Sequence, residues 1–267
     1  MVNSDTGDDV VATADTSPQK KRRLLPKILV GLVVVLAFAA AGLYLYAGRP
    51  AQPTDRAIAA LQSDESVTVT SGQWIEFSPT GTQPTTGLIV YPGGLVDPRA
   101  YAPIARAVAE RGYLVAIVPM PLNLAVLAPD RARDVIAAHP EIEHWAVGGH
   151  SLGGAMAARF AYSHPELADG LALWAAYPAG TDSLAGRDLA VTSIYGTNDG
   201  LATGEKIDAS RALLPPGTVW VEIPGGNHAQ TGSYGPQSGD NPASIAEEAQ
   251  QSSISEATAA LLQRISR

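Results

Sequence analysis

The chain has 267 residues, of which 46% are hydrophobic, with a formal net charge of -8 and no cysteine. The acidic balance argues against a nucleic-acid partner. The lack of cysteine excludes disulfides, thiolate metal sites and a cysteine nucleophile. A chain of this length holds one large domain or two small ones.

The N-terminal part predicts a membrane anchor. Residues 1–27 are polar and end in a basic cluster, Lys20 to Arg23 with Lys27, which is typical of a disordered cytoplasmic tail. Residues 28–47 carry no charge. About 20 apolar residues cover a hydrocarbon core of roughly 30 Å. We therefore expect a single-pass signal anchor at the cell membrane, with the C-terminal bulk of the chain extracytoplasmic.

One alternative to the anchor stays open. Residues 37–39, Ala-Phe-Ala, resemble the small-residue cleavage site of a secretory signal peptide. The apolar run continues through residues 43–45, as an anchor does and a signal peptide usually does not. A buried core helix is disfavoured by the length of the run and by its flanking charges.

The rest of the chain predicts a linker at 48–54 and one domain at 55–267. A short helix at 57–61 and two antiparallel strands at 67–70 and 74–77 come first. Strands and helices then alternate, which indicates a mostly parallel sheet in a three-layer α/β/α sandwich. The predicted strands are 88–91, 113–118, 145–147, 171–174, 191–195 and 219–223, and the predicted helices are 101–111, 130–138, 152–163, 204–213 and 242–265.

The motif Gly149-x-Ser151-x-Gly153 stands between a predicted strand and a predicted helix. In this position a serine forms a nucleophile elbow, since small neighbours allow the chain to turn tightly and leave the hydroxyl projecting. The free N–H groups at the start of the helix can stabilise negative charge that develops nearby. The motif therefore predicts Ser151 as a nucleophile.

A serine nucleophile needs a base, and the base needs an orienting acid. His228 lies in a Gly-rich loop after strand 219–223, at the same carboxyl edge of the sheet as Ser151. Asp199 follows strand 191–195 at that edge, and Asp182, after the preceding strand, is its rival for the acid role. The remaining four histidines are expected to be structural: His139, His144, His150 and His164.

The loop after strand 88–91 predicts part of an oxyanion hole. Leu152, directly after the nucleophile, should supply one N–H donor, and the loop Pro92-Gly93-Gly94-Leu95 should supply the other. Counting along the loop favours Gly94, with Leu95 next. Glycine there lets the backbone approach a bound carbonyl closely.

The chain order Ser151, Asp199, His228, with an earlier glycine loop, resembles the α/β-hydrolase superfamily. Within it the chain looks most like the compact, lid-poor relatives of dienelactone hydrolase, because only about 16 residues separate the strands where many relatives insert a lid. Pro92 departs from the pattern, since many relatives carry histidine before the oxyanion glycine. The resemblance implies the fold and a serine-dependent hydrolysis.

Other contacts are expected at the same edge of the sheet. Met120, Trp174 and Tyr177 follow strand ends and are candidates for binding substrate, although ordinary packing explains them as well. No group of residues at ligand spacing suggests a metal, and no motif suggests a cofactor.

These observations favour a membrane-anchored serine hydrolase that cleaves carboxylic esters or thioesters through an acyl-enzyme. Its partners would be a small ester or acyl substrate and, through one helix, the membrane. Two alternatives remain: an envelope acyltransferase with the same triad, and a non-catalytic hydrolase-like binding module.

Overall fold

The computed structural model describes Met1, residues 28–30, 32, 33, 35, 38 and 42, and the continuous stretch 48–267. The chain divides into two units, Met1–Leu45 and Tyr46–Arg267. In the first unit the described positions between 28 and 42 have helical backbone. Most of the predicted tail and anchor lies outside the described residues. Among those that are described, no helix combines the length and apolarity needed to cross a membrane.

The second unit begins with a short helix and three consecutive strands; helices then separate the later strands, except the sixth from the seventh. Its strands are β1 (Val67–Ser71), β2 (Ile75–Pro79), β3 (Thr86–Tyr91), β4 (Leu114–Ile117), β5 (His144–His150), β6 (Gly170–Trp174), β7 (Ala190–Gly196) and β8 (Val219–Ile223). Its helices are α1 (Asp55–Ala59), α2 (Ala102–Ala109), α3 (Ala132–Ala138), α4 (Leu152–Ser163), α5 (Gly204–Ser210) and α6 (Glu247–Ile265).

All eight strands form one sheet in the order β1-β2-β4-β3-β5-β6-β7-β8. β1 pairs with β2, and β2 with β4, in antiparallel fashion, whereas every pairing from β4 to β8 is parallel. The parallel part places the carboxyl ends of β3, β5, β7 and β8 at one edge. The loops predicted to carry the active site all start from that edge.

The sheet is covered on both faces. Successive side chains of a strand point to opposite sides of the sheet, so each face packs in a core of its own. Leu88 and Val90 of β3 pack in a core that includes residues of α2 and α6. Ile89 and Tyr91 pack in a second core with residues of α3 and α4. Two apolar layers on one sheet explain why β3 and β6 are buried at every position.

Two connections differ from, or refine, the predicted elements. The last helix begins at Glu247 rather than at residue 242, and the segment before it is bonded to neighbouring loops. The connection between β6 and β7, residues 175–189, contains turns but neither a helix nor a strand.

Candidate active site

Ser151 occupies a sharp turn between β5 and α4. Its φ of 53° and ψ of -121° are unusual for a residue with a side chain. The turn needs glycine on both sides, since a Cβ at Gly149 would overlap the carbonyl oxygen of Tyr91 and one at Gly153 would overlap those of Tyr91 and Pro92. The turn is held in place by a bond from the Ser151 N–H to the Trp174 carbonyl, at 3.1 Å. Strain of this kind is maintained by the surrounding packing.

His228 and Asp199 form a buried pair on the loops that follow β8 and β7. His228 Nδ1 lies 2.8 Å from Asp199 Oδ2, and the two side chains are 1% and 0% exposed. The other carboxylate oxygen of Asp199 accepts the N–H groups of Leu201 and Ala202, at 2.7 and 2.6 Å. The acid is therefore fixed at both oxygens, and it holds one nitrogen of the imidazole.

The second nitrogen of His228 is free to act as a base. His228 Nε2 is buried and has no hydrogen-bond partner among the described residues. His228 and Ser151 line the same cavity. The Nε2 atom is thus available for a proton from the serine or from water, and such contacts often tighten only when substrate binds.

The structure keeps Asp182 away from this pair. Asp182 Oδ1 accepts from Arg159 Nη1 of α4, at 3.0 Å, and from the hydroxyl of Thr181, at 3.1 Å. Its carboxylate is buried and committed to that ion pair. Between the two aspartates, Asp199 is therefore the one bonded to His228.

The loop predicted to form part of the oxyanion hole has one backbone N–H that is not used by another group among the described residues. The N–H of Leu95 donates to the carbonyl of Asn123, at 2.8 Å, so the prediction of Leu95 as a donor is wrong. Gly93 N–H is also used, because it donates to the hydroxyl of Tyr101. The N–H of Gly94 has no hydrogen-bond partner among the described residues. A Cβ at Gly94 would lie 3.1 Å from the side chain of Leu152, so the two predicted donors Gly94 and Leu152 are neighbours.

Ser151 and His228 line an apolar cavity of about 290 Å³. Its other lining residues are Leu152, Ala155, Ala175, Ala176, Tyr177, Leu201 and Ala202. None of these side chains carries a charge. The cavity therefore suits an uncharged, apolar group attached to the carbonyl that Ser151 would attack.

Two of the three predicted substrate contacts lie elsewhere. Trp174 is fully buried, and its indole N–H donates to Thr258 of α6, at 3.1 Å. Met120 is 7% exposed and packs in the core on the side of α3 and α4. Neither lines the cavity, because each side chain faces a core, whereas Tyr177, the third candidate, does line it.

His150, predicted to be structural, packs against the Asp199–His228 pair. The rings of His150 and His228 lie 4.4 Å apart between centroids. The hydroxyl of Tyr101 accepts from Gly93 N–H and lies 2.9 Å from His150 Nδ1, to which it can donate. Burial, and secondarily the nearby His228, hold the pKa of His150 well below its usual value. No sequence signal beyond its place next to Ser151 could have revealed this network.

The described residues include no group of three or more His, Asp or Glu side chains that could hold a metal ion. The chemistry available at the site is that of a hydroxyl, an imidazole–carboxylate pair and backbone N–H donors. That set matches acyl transfer by a serine nucleophile.

Known proteins resemble this chain in fold. A structure titled as a predicted CIB-like hydrolase from Thermoplasma acidophilum superposes with a TM-score of 0.51 at 12% identity, covering 61% of this chain and 90% of that one. Among curated proteins, none matches. The sequence profile of the alpha/beta hydrolase family matches residues 87–252, which is more than half of the chain. The chain therefore belongs to the alpha/beta hydrolase family.

Proposed function

We propose that the protein is a serine hydrolase that cleaves carboxylic esters or thioesters through an acyl-enzyme. The observation that carries this proposal is the buried Asp199–His228 pair: Nε2 of His228 has no hydrogen-bond partner among the described residues, and His228 lines the same cavity as Ser151. Ser151 itself stands on a strained turn. A side chain kept in such a conformation is typical of an active site.

In the first half of the reaction, Ser151 Oγ attacks the substrate carbonyl and its proton moves to His228 Nε2. Asp199 holds the Nδ1–H and stabilises the imidazolium that forms. The N–H groups of Gly94 and Leu152 donate hydrogen bonds to the carbonyl oxygen as it gains negative charge. The tetrahedral intermediate then expels the alcohol or thiol, which takes the proton from Nε2 and leaves an acyl-serine.

In the second half, water gives a proton to His228 Nε2 as its oxygen attacks the acyl-serine. Collapse of this intermediate returns the proton to Ser151 Oγ and releases the carboxylic acid. The uncharged lining of the cavity favours substrates with a neutral acyl chain over charged ones.

The test is hydrolysis of p-nitrophenyl butyrate by the purified full-length protein. We expect Ser151→Ala to lose at least about 10³-fold in kcat. Ser163→Ala, at the exposed far end of the same helix, is the matched control and should keep full activity. Mass spectrometry after treatment with a fluorophosphonate should find the label on Ser151. Wild-type turnover by Ser151→Ala would refute the serine mechanism.

We further propose that residues 28–47 anchor the protein in the cell membrane with the hydrolase domain outside the cytoplasm. The support is the uncharged run behind a basic cluster. Protease added to cells without walls should then digest the domain, and the full-length protein should sediment with membranes. A mature form beginning near Ala40 would indicate cleavage of a signal peptide instead. A full-length protein in the cytoplasmic fraction would refute export.

A further inference from the structure

Asp240 lies in the irregular segment between β8 and α6, outside the catalytic set. Its Oδ1 accepts the N–H of Gly200 at 3.0 Å, and its Oδ2 accepts the N–H of Ala229 at 2.8 Å. Gly200 directly follows Asp199, and Ala229 directly follows His228. A single carboxylate thus bonds to both loops that carry the imidazole–carboxylate pair.

The two loops are joined differently in their inner halves, which precede Asp199 and His228 in the chain, and in their outer halves, which follow them. In the inner half they bond directly, since Asn198 N–H donates to the carbonyl of Gly226 at 2.8 Å. In the outer half, beyond Asp199 and His228, they meet through Asp240. The bond between Asp199 and His228 lies between these two connections along the chain.

The segment around Asp240 is itself tied to both loops. Asn198 Nδ2 donates to the carbonyl of Pro242 at 3.2 Å, and Asn227 Nδ2 donates to that of Asn241 at 2.8 Å. A Cβ at Gly200 would lie only 2.7 Å from the carbonyl oxygen of Gly239. Because the segment packs this closely, the carboxylate of Asp240 is held between the loops rather than resting on one of them.

We propose that Asp240 is a positioning residue. It holds the loop that carries Asp199 and the loop that carries His228 together, so that Asp199 keeps the imidazole of His228 in the orientation needed for catalysis. This inference rests on the proposed function for its effect on turnover. It also stands on a geometry that can be measured without turnover. A carboxylate suits the role because it offers two acceptor oxygens and no donor.

Replacing Asp240 with asparagine should break the bridge between the two loops for a chemical reason. In Asp240→Asn one oxygen becomes an NH₂ group, which would face a backbone N–H and leave one loop without its acceptor. Asp240→Glu keeps the charge but moves the carboxylate by one methylene. A role in bridging the loops predicts that both variants lose activity, whereas a role of charge alone predicts that only Asp240→Asn does.

The experiment compares full-length wild type, Asp240→Asn, Asp240→Glu and the control Asp208→Asn with p-nitrophenyl butyrate. Asp208 is an exposed acid of α5 that pairs with Arg211. We expect kcat to fall roughly 10- to 100-fold in both Asp240 variants, with KM within about twofold. The low-field proton NMR signal of His228 Nδ1–H should shift or broaden in both and stay unchanged in Asp208→Asn.

An unchanged NMR signal and a kcat within twofold of wild type in either Asp240 variant would overturn the proposal. So would a loss of kcat that merely follows the unfolded fraction measured by circular dichroism. If Asp240→Asn does not fold, Asp240→Glu decides by the same two readouts. If Ser151→Ala keeps full turnover, the proposed function fails, and the NMR signal alone then tests the loop-bridging role.

Discussion

Replacing Asp199 with asparagine should inactivate the enzyme through the tautomer of His228. Oδ1 of Asp199 accepts two backbone N–H groups, from Leu201 and Ala202. An asparagine at this position must keep its oxygen on those donors, so its NH₂ group faces His228 Nδ1. Since that NH₂ donates, Nδ1 has to accept and the ring proton moves to Nε2. Nε2 then can no longer take the proton of Ser151.

The size of the effect on kcat follows from this change of tautomer. The wrong tautomer costs about 10⁴ in kcat in a serine–histidine–aspartate site. At 1.36 kcal/mol for each factor of ten, this is a loss of roughly 5 kcal/mol of transition-state stabilisation. Substrate binding in the apolar cavity should be little affected, because Asp199 does not line it. We therefore expect the loss in kcat rather than in KM.

Asp182→Asn is the matched control, since Asp182 is also a buried aspartate in a loop that follows a strand of the sheet. Its partners are Arg159 and Thr181 rather than His228. We expect less than about a tenfold loss of kcat. Weakening its ion pair should lower the free energy of unfolding by about 1–2 kcal/mol.

The assay is steady-state hydrolysis of p-nitrophenyl butyrate by the three proteins, with urea unfolding alongside. One result would refute the reasoning: Asp182→Asn losing several orders of magnitude while Asp199→Asn stays nearly active. That pattern would place the orienting acid after β6 and show that the observed Asp199–His228 bond is not the one used in turnover.

Further predictions test strain, titration and specificity. Glycine tolerates the conformation of residue 151, so Ser151→Gly should be more stable to urea than Ser151→Ala, by up to about 2 kcal/mol; equal stabilities would argue against strain. The unfolded chain takes up a proton near pH 6.5 that buried His150 does not, so stability should fall as the pH drops below this value. The free energy of unfolding should therefore fall between about pH 7 and pH 5, and His150→Asn should show a smaller fall over the same range. Ala155→Leu narrows the cavity and should lower kcat/KM for p-nitrophenyl hexanoate at least about tenfold more than for p-nitrophenyl acetate. The control Ala138→Leu, at an exposed position, should change kcat/KM for neither ester. Equal losses for both esters would place the acyl chain outside this cavity.

The parts of the fold that could be predicted are those with a local signal. The strand at 219–223 and the helix at 152–163 have the same bounds in the structure, because a change in apolar period and Gly-rich turns mark their ends. The elbow at Ser151 was visible for the same reason. Strand order was not visible, since nothing local indicates that β2 pairs with β4.

Three features could not be predicted, because the sequence pattern does not show which residues meet in the folded chain. Both faces of β6 are apolar, so the sequence does not tell which face Trp174 joins, and the structure places it in the core with α6. The N–H of Leu95 donates to the carbonyl of Asn123, which lies on a different loop, far away in sequence. Residues 242–246 look compatible with a helix, but their neighbours in space are the loops after β7 and β8, and backbone groups there bond to those loops instead.

The short β6–β7 connection has a consequence for how the enzyme should respond to aggregated substrates. A hydrolase whose cavity is closed by a helical lid waits for the lid to open, and its rate jumps where substrate first forms micelles. Here residues 175–189 contain no helix, and only Ala175, Ala176 and Tyr177 of that connection line the cavity. We therefore expect the rate with a medium-chain ester to saturate smoothly through the critical micelle concentration, without interfacial activation.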